Sequence, residues 1–404
     1  MTELELVPTA MVAGGSALAR DGGGRVVFVD GALPGERVRA RLTDERRDFA
    51  RAVAVEVVDP SPDRVAPPCP ALAAGCGGCT WQHVAPGAQA RLKASVVVDA
   101  LRRIGRLPDP PVPGVVGLPG PALRTTARLA VSPEGRAGHR PRADGTGPGL
   151  PVPTDSCMVA HPLLDELLVA GRYPGAAEVL LRVGVSSGER VVRAKYRPRD
   201  VNVPDGVVVV GERDRRPASV HEEVAGRRFR VSVGSFFQPG PVVAEGLVAA
   251  VRAAVHGALP PGGHLVDAYA GVGLFGSVLG ASHGVTVTAL ESAPAAVADA
   301  RENLADIDAR VVAGEVGRWR PAAADPQVDV VVADPSRTGL GRPGVGTIGA
   351  ARPGRLVLVS CDPASLGRDA ALLADAGYRL TSVDVVDAFP HTFHVETVSR
   401  FDAA

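Results

Sequence analysis

Cys361 stands where an apolar strand gives way to a polar turn, in the stretch LVLVSCDPASLGRD. A structural cysteine usually packs as a small apolar residue within a buried element. At the end of a strand, a thiol can instead project into the crevice at the carboxyl edge of a parallel sheet, where ligands bind. Its thiolate could act there as a nucleophile. The position indicates covalent chemistry, and a small core residue is the alternative.

A glycine turn upstream indicates which ligand could lie beside the thiol. The stretch DAYAGVGLFG contains Gly271, Gly273 and Gly276 in the G-x-G-x-x-G pattern, between an apolar strand and a helical stretch. Such glycines let the backbone approach a ligand closely, and an acid about 20 residues further on can bind ribose hydroxyls. Glu291, at the end of the next strand, is that acid. The arrangement is typical of sites for nicotinamide dinucleotides and for S-adenosylmethionine.

Two further features favour methyl transfer over hydride transfer. Asp267 ends the strand before the glycines, where a carboxylate could meet the ammonium group of methionine. The stretch ADPSRTG ends the fourth strand and places Asp334 and Arg337 at the same edge of the sheet. A nicotinamide-dependent oxidoreductase needs neither feature, so that alternative depends on the glycine turn alone.

A thiol beside a methyl donor has a defined chemical use. Carbon 5 of uracil is a poor nucleophile, but addition of a thiolate to carbon 6 gives an enolate whose carbon 5 can take a methyl group. A base must then remove the proton from carbon 5 so that the thiolate is eliminated. The stretch HVETVSRF supplies Glu396 for that step.

The other four cysteines form a second candidate site. The stretch CPALAAGCGGC contains Cys69, Cys76 and Cys79, and Cys157 follows in DSCMVAHP. In a chain without an evident secretory signal, cysteines spaced in this way indicate metal binding or catalysis rather than disulfides. Four thiolates can hold tetrahedral zinc or an iron–sulfur cluster, and the spacing alone leaves both open.

The elements that must position these residues divide into segments 1–60, 61–235 and 236–404. The first has short apolar strands and Gly/Pro turns, which predict a small β-barrel of the oligonucleotide-binding (OB) kind. Arg37, Arg39 and Arg41 alternate there, so they share one face of a strand that is either an RNA contact or a solvated edge.

The second segment mixes strands with an amphipathic helix in GAQARLKASVVVDALRRIG, which predicts an α+β domain. Its Gly/Pro/Arg-rich stretch over 132–156 predicts a loop. The third segment alternates apolar strands with helical stretches, which predicts a Rossmann-like α/β fold with a parallel sheet. HVETVSRF predicts a final strand in the antiparallel direction.

The composition narrows the functional classes. The chain has 404 residues, 46% of them hydrophobic and 22% charged, which suits a soluble protein with large cores. The formal net charge is zero, so attraction to nucleic acid must come from local patches. Neither a signal peptide nor a membrane-spanning apolar run is apparent, which predicts a cytoplasmic protein without a membrane partner. Nothing indicates an obligate protein partner.

These motifs together resemble the RNA (uracil-5-)methyltransferase family over nearly the whole chain. The family's SCNP-x-T-L-x-R-D appears as SCDPASLGRD, DPPR-x-G as DPSRTG, H-x-E-T-V as HVETV and FFQ-x-N as FFQPG. The resemblance implies a class I methyltransferase domain with Cys361 as nucleophile and Glu396 as proton acceptor. It implies that Arg337 orients the base. S-adenosylmethionine would be bound by Gln238, Tyr269, Glu291 and Asp334.

The chain departs from the family pattern at four positions of these motifs. Asp362 replaces Asn, Ser336 replaces the second Pro, Gly240 replaces Asn, and Leu274 stands where a polar cofactor contact is common. The nucleophile, base and donor site remain, so we expect activity. The departures motivate an alternative, a non-catalytic RNA-binding or assembly protein on a degenerate methyltransferase fold.

The resemblance also extends to the first two segments. The barrel resembles the RNA-binding TRAM domain, and GCGGCTWQH resembles the C-x-x-C-G-G-C-x-x-Q motif of a family branch that holds a [4Fe-4S] cluster. By that resemblance, Cys69, Cys76, Cys79 and Cys157 bind the cluster. The partner is then structured RNA, with large-subunit ribosomal RNA favoured over tRNA.

Overall fold

A computed structural model describes residues 2–120, 123–141, 149–195, 201–211, 214, 218–322 and 325–404 of the chain. Within these ranges the strands form four sheets, of six, six, two and eight strands. No helix in the same ranges is both long enough and apolar enough to cross a membrane.

The first segment forms a six-stranded sheet of mostly short strands, which we call the N-terminal barrel. Its strands are β1 (Glu3–Leu6), β2 (Ala10–Met11), β3 (Ala17–Arg20), β4 (Val26–Asp30), β5 (Arg37–Glu45) and β6 (Phe49–Asp59). They lie in the order β1-β5-β6-β4-β3-β2. Three register shifts interrupt the β5–β6 ladder, and such irregularities bend a pair of strands around a core. Val38, Ala40 and Leu42 are buried in that core.

The middle segment combines helices with a mixed sheet, as its sequence predicts. Its elements are α1 (Pro70–Ala73), α2 (Pro86–Arg103), β7 (Gly114–Val116), β8 (Thr126–Val131), β9 (Ala137–His139), β10 (Val152–Pro153), α3 (Pro162–Ala170), β11 (Glu178–Val183), β12 (Arg190–Ala194), β13 (Val207–Gly211), β14 (Ser219–Val224) and β15 (Arg227–Ser232). The prediction of a loop over 132–156 is wrong at β9 and β10, because these short runs pair with each other at the edge of the sheet. Residues 142–148 of that stretch lie outside the described residues.

The third segment alternates strands and helices. Its elements are α4 (Pro241–Val255), β16 (His264–Ala268), α5 (Leu274–His283), β17 (Thr286–Glu291), α6 (Pro294–Asn303), β18 (Ala309–Ala313), a short 3-10 helix (Val316–Arg318), β19 (Val330–Ala333), α7 (Gly341–Ala351), β20 (Arg355–Ser360), α8 (Pro363–Asp375), β21 (Tyr378–Val386) and β22 (Glu396–Ala403). Every residue of β16 and β19 is buried, as expected of strands covered by helices on both faces.

The strands of this C-terminal sheet lie in the order β18-β17-β16-β19-β20-β22-β21-β7. The first five are parallel, whereas β22 runs antiparallel to both neighbours. The predicted Rossmann-like α/β fold is therefore confirmed. The strand order reverses at β16 and β19, and a crevice forms at the carboxyl ends of strands at such a point.

Helix α2 joins the N-terminal barrel to the C-terminal sheet. On one face, Leu92 and Val96 pack into the barrel core. On another, Val97 and Leu101 belong to the core beneath the sheet, together with residues of α8. A Cβ atom on Gly367 of α8 would lie 2.8 Å from the Ala100 carbonyl oxygen, so glycine permits this close helix contact. The barrel is thus fixed against the domain that carries Cys361.

Candidate active site and cysteine cluster

A cavity of about 350 Å³ opens at the carboxyl ends of β16 and β19. The turn after β16, the start of α5, Asp334 after β19 and the FFQ stretch before α4 line it. Tyr269 adopts a left-handed backbone conformation there, with φ of 60°. Such a conformation is costly for a residue with a side chain and is concentrated at functional sites. Phe236 is 68% exposed at the same cavity, so an aromatic ring faces solvent beside it.

Asp267 lies beneath the glycine turn rather than in the cavity. Its side chain is fully buried, and its Oδ2 accepts a 2.7 Å hydrogen bond from the Gly276 amide. A Cβ atom on Gly276 would lie 2.9 Å from that oxygen, so only glycine fits here. The Oδ1 of Asp267 has no hydrogen-bond partner among the described residues, so the expected contact of Asp267 with a methionine ammonium stays a prediction. Burial, with nearby Asp334 and Glu291, raises the pKa of Asp267 to about 7.

Two residues predicted to bind the donor meet directly across the cavity. The Gln238 Nε2 donates a 3.0 Å hydrogen bond to Oδ2 of Asp334. Burial raises the pKa of Asp334 to about 7, and this hydrogen bond opposes the shift. Glu291 lies at the end of β17, where its Oε2 accepts a 2.9 Å hydrogen bond from the Gly271 amide. The glycine turn and the acid expected to bind ribose are thus joined.

Cys361 directly follows strand β20, and Glu396 begins the neighbouring strand β22. Ser360, the last residue of β20, pairs with Thr397 of β22, and the Thr397 hydroxyl donates a 3.1 Å hydrogen bond to the Ser360 carbonyl. Burial, with the nearby carboxyls of Glu396 and Asp334, raises the pKa of Cys361 to about 11, and Arg337 opposes the shift. Burial and Asp334 also raise the pKa of Glu396 well above its usual value.

The segment that leads into Glu396 is anchored by helix α2. The buried Lys93 ammonium lies 2.7 Å from Oδ1 of Asp387 and donates a 2.9 Å hydrogen bond to the Phe389 carbonyl. Gln89 accepts a 2.7 Å hydrogen bond from the amide of His391, whose φ is 62°. This hydrogen bond of His391 ties the segment before Glu396 to helix α2.

The departures from the family motifs fit their surroundings. Asp362 caps helix α8, because its Oδ1 accepts a 2.7 Å hydrogen bond from the Ser365 amide as Asn would. A Cβ atom on Gly240 would collide with the carbonyl oxygen of Leu123. Leu274 is buried and lines the cavity, so it replaces a polar contact with an apolar one.

The other four cysteines lie around one small cavity. Cys69, Cys76, Cys79 and Cys157 line it, together with Gln82 and His139 among others. The described residues contain no group of three or more His, Cys, Asp or Glu that could hold one metal ion. Burial raises the pKa of Cys79 to about 11, and the neighbouring Cys157 and Cys76 add to this. The four thiols therefore face a shared space rather than a single point.

Arg124 connects the two sites, and sequence reasoning missed it. Its guanidinium lies 5.6 Å from the centroid of the Phe389 ring, in the segment before Glu396. Cys79 and Cys157 lie near enough to favour its charged form. Arg124 belongs to none of the motifs above, so nothing in the sequence distinguishes it from other arginines.

Comparison with known proteins agrees with this architecture. The TRAM domain family matches residues 13–55. A Streptomyces coelicolor protein, named an uncharacterized RNA methyltransferase, is 40% identical over 100% of this chain and 93% of its own length. The 23S rRNA (uracil(1939)-C(5))-methyltransferase RlmD of Alkalilimnicola ehrlichii is 35% identical over 93% of this chain and 92% of its own.

Among solved structures, the tRNA (uracil-54, C5)-methyltransferase of Pyrococcus abyssi, in complex with S-adenosyl-L-homocysteine, gives a TM-score of 0.75. The match covers 98% of this chain and 100% of that one at 23% identity, so it shows the shared fold. The class of enzyme is shown by the two relatives above, which are 40% and 35% identical over 100% and 93% of this chain. The chain belongs to the S-adenosylmethionine-dependent RNA methyltransferase family that includes the uracil-C5 enzymes.

Proposed function

We propose that this enzyme methylates carbon 5 of a uridine in structured RNA. The carrying observation is the placement of a thiol and a carboxyl group, with Cys361 directly after β20 and Glu396 at the start of the neighbouring β22. Asp334 lines the donor cavity and lies close enough to influence both groups. A nucleophile, a base and a donor cavity in one place are what methylation at carbon 5 of uracil requires.

In the proposed reaction, the Cys361 thiolate forms a bond to carbon 6 and moves the electron pair of the 5,6 double bond toward carbon 5 and oxygen 4. S-adenosylmethionine, when bound, supplies the methyl group that carbon 5 takes. Glu396 then accepts the proton of carbon 5, the double bond re-forms, and the thiolate leaves. Arg337 is exposed beside these groups, and its charge favours their ionised forms.

The donor site in this proposal consists of Gln238, Tyr269, Glu291 and Asp334. The hydrogen bond between Gln238 and Asp334 fixes the positions of both side chains. Tyr269, with its left-handed backbone conformation, forms the turn that leads to Gly271. Glu291 has free acceptor capacity for ribose, because a carboxylate can accept about four hydrogen bonds. Here it accepts three, from the amides of Gly271, Ser292 and Ala293.

We further propose that Cys69, Cys76, Cys79 and Cys157 bind a [4Fe-4S] cluster. Each cysteine binds a different iron of such a cluster, so its four thiolates surround a volume instead of converging on one ion. Four thiols around one shared cavity, with no site among the described residues for a single ion, are compatible with this arrangement. The cluster would hold together distant parts of the middle segment.

Large-subunit ribosomal RNA is the proposed substrate. The relative named as a 23S rRNA uracil-C5 methyltransferase is 35% identical, whereas the structurally similar tRNA enzyme is 23% identical. The experiment is transfer of labelled methyl groups to unmodified 23S rRNA and, separately, to unmodified tRNA, with anaerobically purified protein. We expect 5-methyluridine in digested 23S rRNA. Labelled 5-methyluridine in tRNA alone would reassign the substrate, and donor binding without product in any RNA would favour the non-catalytic alternative.

A further inference from the structure

Asp369 ends the motif SCDPASLGRD but has no role in the reaction proposed above. It lies in α8, eight residues after Cys361, and it is 2% exposed. Its Oδ2 accepts a 2.7 Å hydrogen bond from the Leu340 amide, and its Oδ1 accepts a 3.0 Å hydrogen bond from the Gly341 amide. Both amides stand at the start of α7, whose own N-cap residue supplies no side-chain hydrogen bond. A carboxylate from another helix therefore caps α7.

The same carboxylate touches the turn that carries Arg337. The Gly339 amide donates a 2.8 Å hydrogen bond to the Ser336 carbonyl, which closes a turn over 336–339. Gly339 has a φ of 77°, and a Cβ atom there would collide with Oδ2 of Asp369, so glycine permits this close approach. The turn is thus fixed between the end of β19 and the Asp369 carboxylate.

The Arg337 side chain has no other anchor among the described residues. It is exposed, and none of these residues forms a hydrogen bond or an ion pair with its guanidinium. Its charge nevertheless lies close enough to Cys361 and Glu396 to favour the ionised form of each. The backbone of the turn, rather than a side-chain contact, therefore sets where this charge stands.

Helix α8 connects the thiol to the turn. Cys361 directly precedes Asp362, the N-cap residue of α8, and Asp369 lies further along the same helix. Leu366 and Ala370 of α8 are buried, so the helix is held firmly in the core beneath the sheet. One helix thus carries the nucleophile before its first turn and the carboxylate that holds the turn of Arg337 further along.

We infer that Asp369 is a positioning residue for the reaction, which holds the turn over 336–339 so that Arg337 stands beside Cys361 and Glu396. This inference rests on the proposed function. The alternative is a structural cap that stabilises α7 and the packing of the buried Leu340 and does nothing else. Only the positioning role makes the reactivity of the thiol depend on Asp369 by way of Arg337.

The test measures the rate at which iodoacetamide alkylates Cys361 in the anaerobically purified full chain, resolved by peptide mass over a range of alkaline pH. The charged groups that act on this thiol are Glu396, Asp334 and Arg337. Arg337→Gln removes the one that favours the thiolate, so we expect alkylation below the pKa of the thiol to slow roughly fivefold. Asp369→Asn should also slow it, although loss of a negative charge alone would speed it. In the Arg337→Gln background, Asp369→Asn should have no further effect.

Asp329→Asn is the matched control for the loss of a carboxylate that binds a backbone amide. Asp329 accepts a 2.8 Å hydrogen bond from the His264 amide at the opposite, amino end of the sheet, so this variant should alkylate at the wild-type rate. Gly339→Ala is a second variant, which keeps every charge but collides with Asp369 and should slow alkylation as Asp369→Asn does. Its control is Gly284→Ala, at a left-handed glycine with open space at the end of α5.

Slower alkylation that disappears in the Arg337→Gln background supports the positioning role. Unchanged or faster alkylation in Asp369→Asn, or equal slowing with and without Arg337, overturns the inference and leaves the proposed reaction intact. If Asp369→Asn does not fold, Gly339→Ala takes its place in the same comparison. Failure of the wild-type protein to methylate any RNA overturns the proposed reaction instead. The alkylation assay contains no RNA, so it still decides whether Asp369 places Arg337 beside the thiol.

Discussion

Glu396 begins β22, and Cys361 directly follows Ser360, whose register partner is Thr397 of the same strand. The last register pair of β20 and β22 therefore lies one residue from each of the two groups and limits their separation. A rigid ladder is well suited to holding a nucleophile and a base on one small ring, because displacement by about 1 Å costs much of the rate. Only the segment 387–395 before Glu396 needs separate anchoring.

Substitutions of the pair should separate addition from elimination. Cys361→Ala should abolish both turnover and any covalent adduct with RNA, because no thiolate can add to carbon 6. Glu396→Gln should retain addition but lose the proton acceptor, so the adduct should accumulate and migrate as a shifted band on a denaturing gel. Glu222→Gln, at a buried glutamate of the β14–β15 hairpin, is the matched control and should behave as wild type. Full activity of Cys361→Ala would exclude the mechanism.

Gln238→Leu should weaken binding of S-adenosylmethionine. The substitution removes the donor that reaches Asp334 and leaves a carboxyl group in the cavity without that partner. Losing a hydrogen bond to a charged group costs about 1.5–3 kcal/mol, so we expect the Kd to rise roughly tenfold or more by calorimetry. Gln327→Leu, outside the cavity, should leave the Kd unchanged. An unaltered Kd in Gln238→Leu would remove Gln238 from the donor site.

The contribution of Asp267 to the stability of the free protein should fall as the pH rises toward neutrality. The pKa of Asp267 is about 7 in the folded protein, against 3.8 for an ordinary aspartate. The folded state therefore binds the proton of Asp267 more tightly than the unfolded state does. The contribution of this proton to the free energy of unfolding is complete below about pH 4 and is lost by about pH 7. Asp267→Asn is neutral throughout, so its free energy of unfolding should decline less over this range, by a few kcal/mol. Urea unfolding at several pH values measures this.

The control for that experiment is Asp109→Asn, which changes an exposed carboxyl group. It should reproduce the wild-type dependence of stability on pH. Identical slopes for Asp267→Asn and wild type would contradict the proposed burial of a protonated Asp267.

Lys93→Met should destabilise the protein by about 3–5 kcal/mol, because it leaves Asp387 without its partner in a largely buried setting. Lys93→Met combined with Asp387→Leu should recover much of that loss, because no uncompensated charge remains. Denaturant unfolding of both variants checks this. A double variant no more stable than the single one would mean that packing, rather than charge, explains the cost.

Anaerobically purified protein should contain roughly four iron and four sulfide per chain, as a cubane cluster requires. Cys79→Ala should lose most of this iron. Cys361→Ala is the matched control, because it removes a cysteine outside the cluster cavity and should keep the iron content. One zinc per chain, with little iron, would favour the tetrahedral alternative.

Much of the C-terminal domain was predictable because parallel strands covered on both faces read as continuous apolar runs. β16, β17, β19 and β20 coincide with such runs, and the glycine turn follows β16 as expected. The position of β22 between β20 and β21 was not predictable, because strand order depends on contacts between distant parts of the chain. The same reason explains why β7 joins this sheet from the middle segment.

Surface chemistry was less predictable than the fold. The alternation of Arg37 and Arg39 correctly indicates one face, but only the register of β1 against β5 brings Glu3 and Glu5 beside them. In the sequence, Phe28 and Phe49 resemble ordinary strand residues, whereas in the folded barrel their rings meet edge to face. Asp267 ends its strand as predicted, yet the start of α5 covers it.

The insertion of β22 between two earlier strands has a consequence for the order of assembly. β20 and β21 are complete before β22 exists, and they do not pair with each other. While the chain is being synthesised, the facing edges of β20 and β21 must therefore stay unpaired, because exposed strand edges can pair with other chains. The Cys361 thiol meets the Glu396 carboxyl group only when β22 pairs between β20 and β21. Pairing of β22 thus completes the proposed thiol–carboxyl pair and covers the facing edges of β20 and β21 in one event.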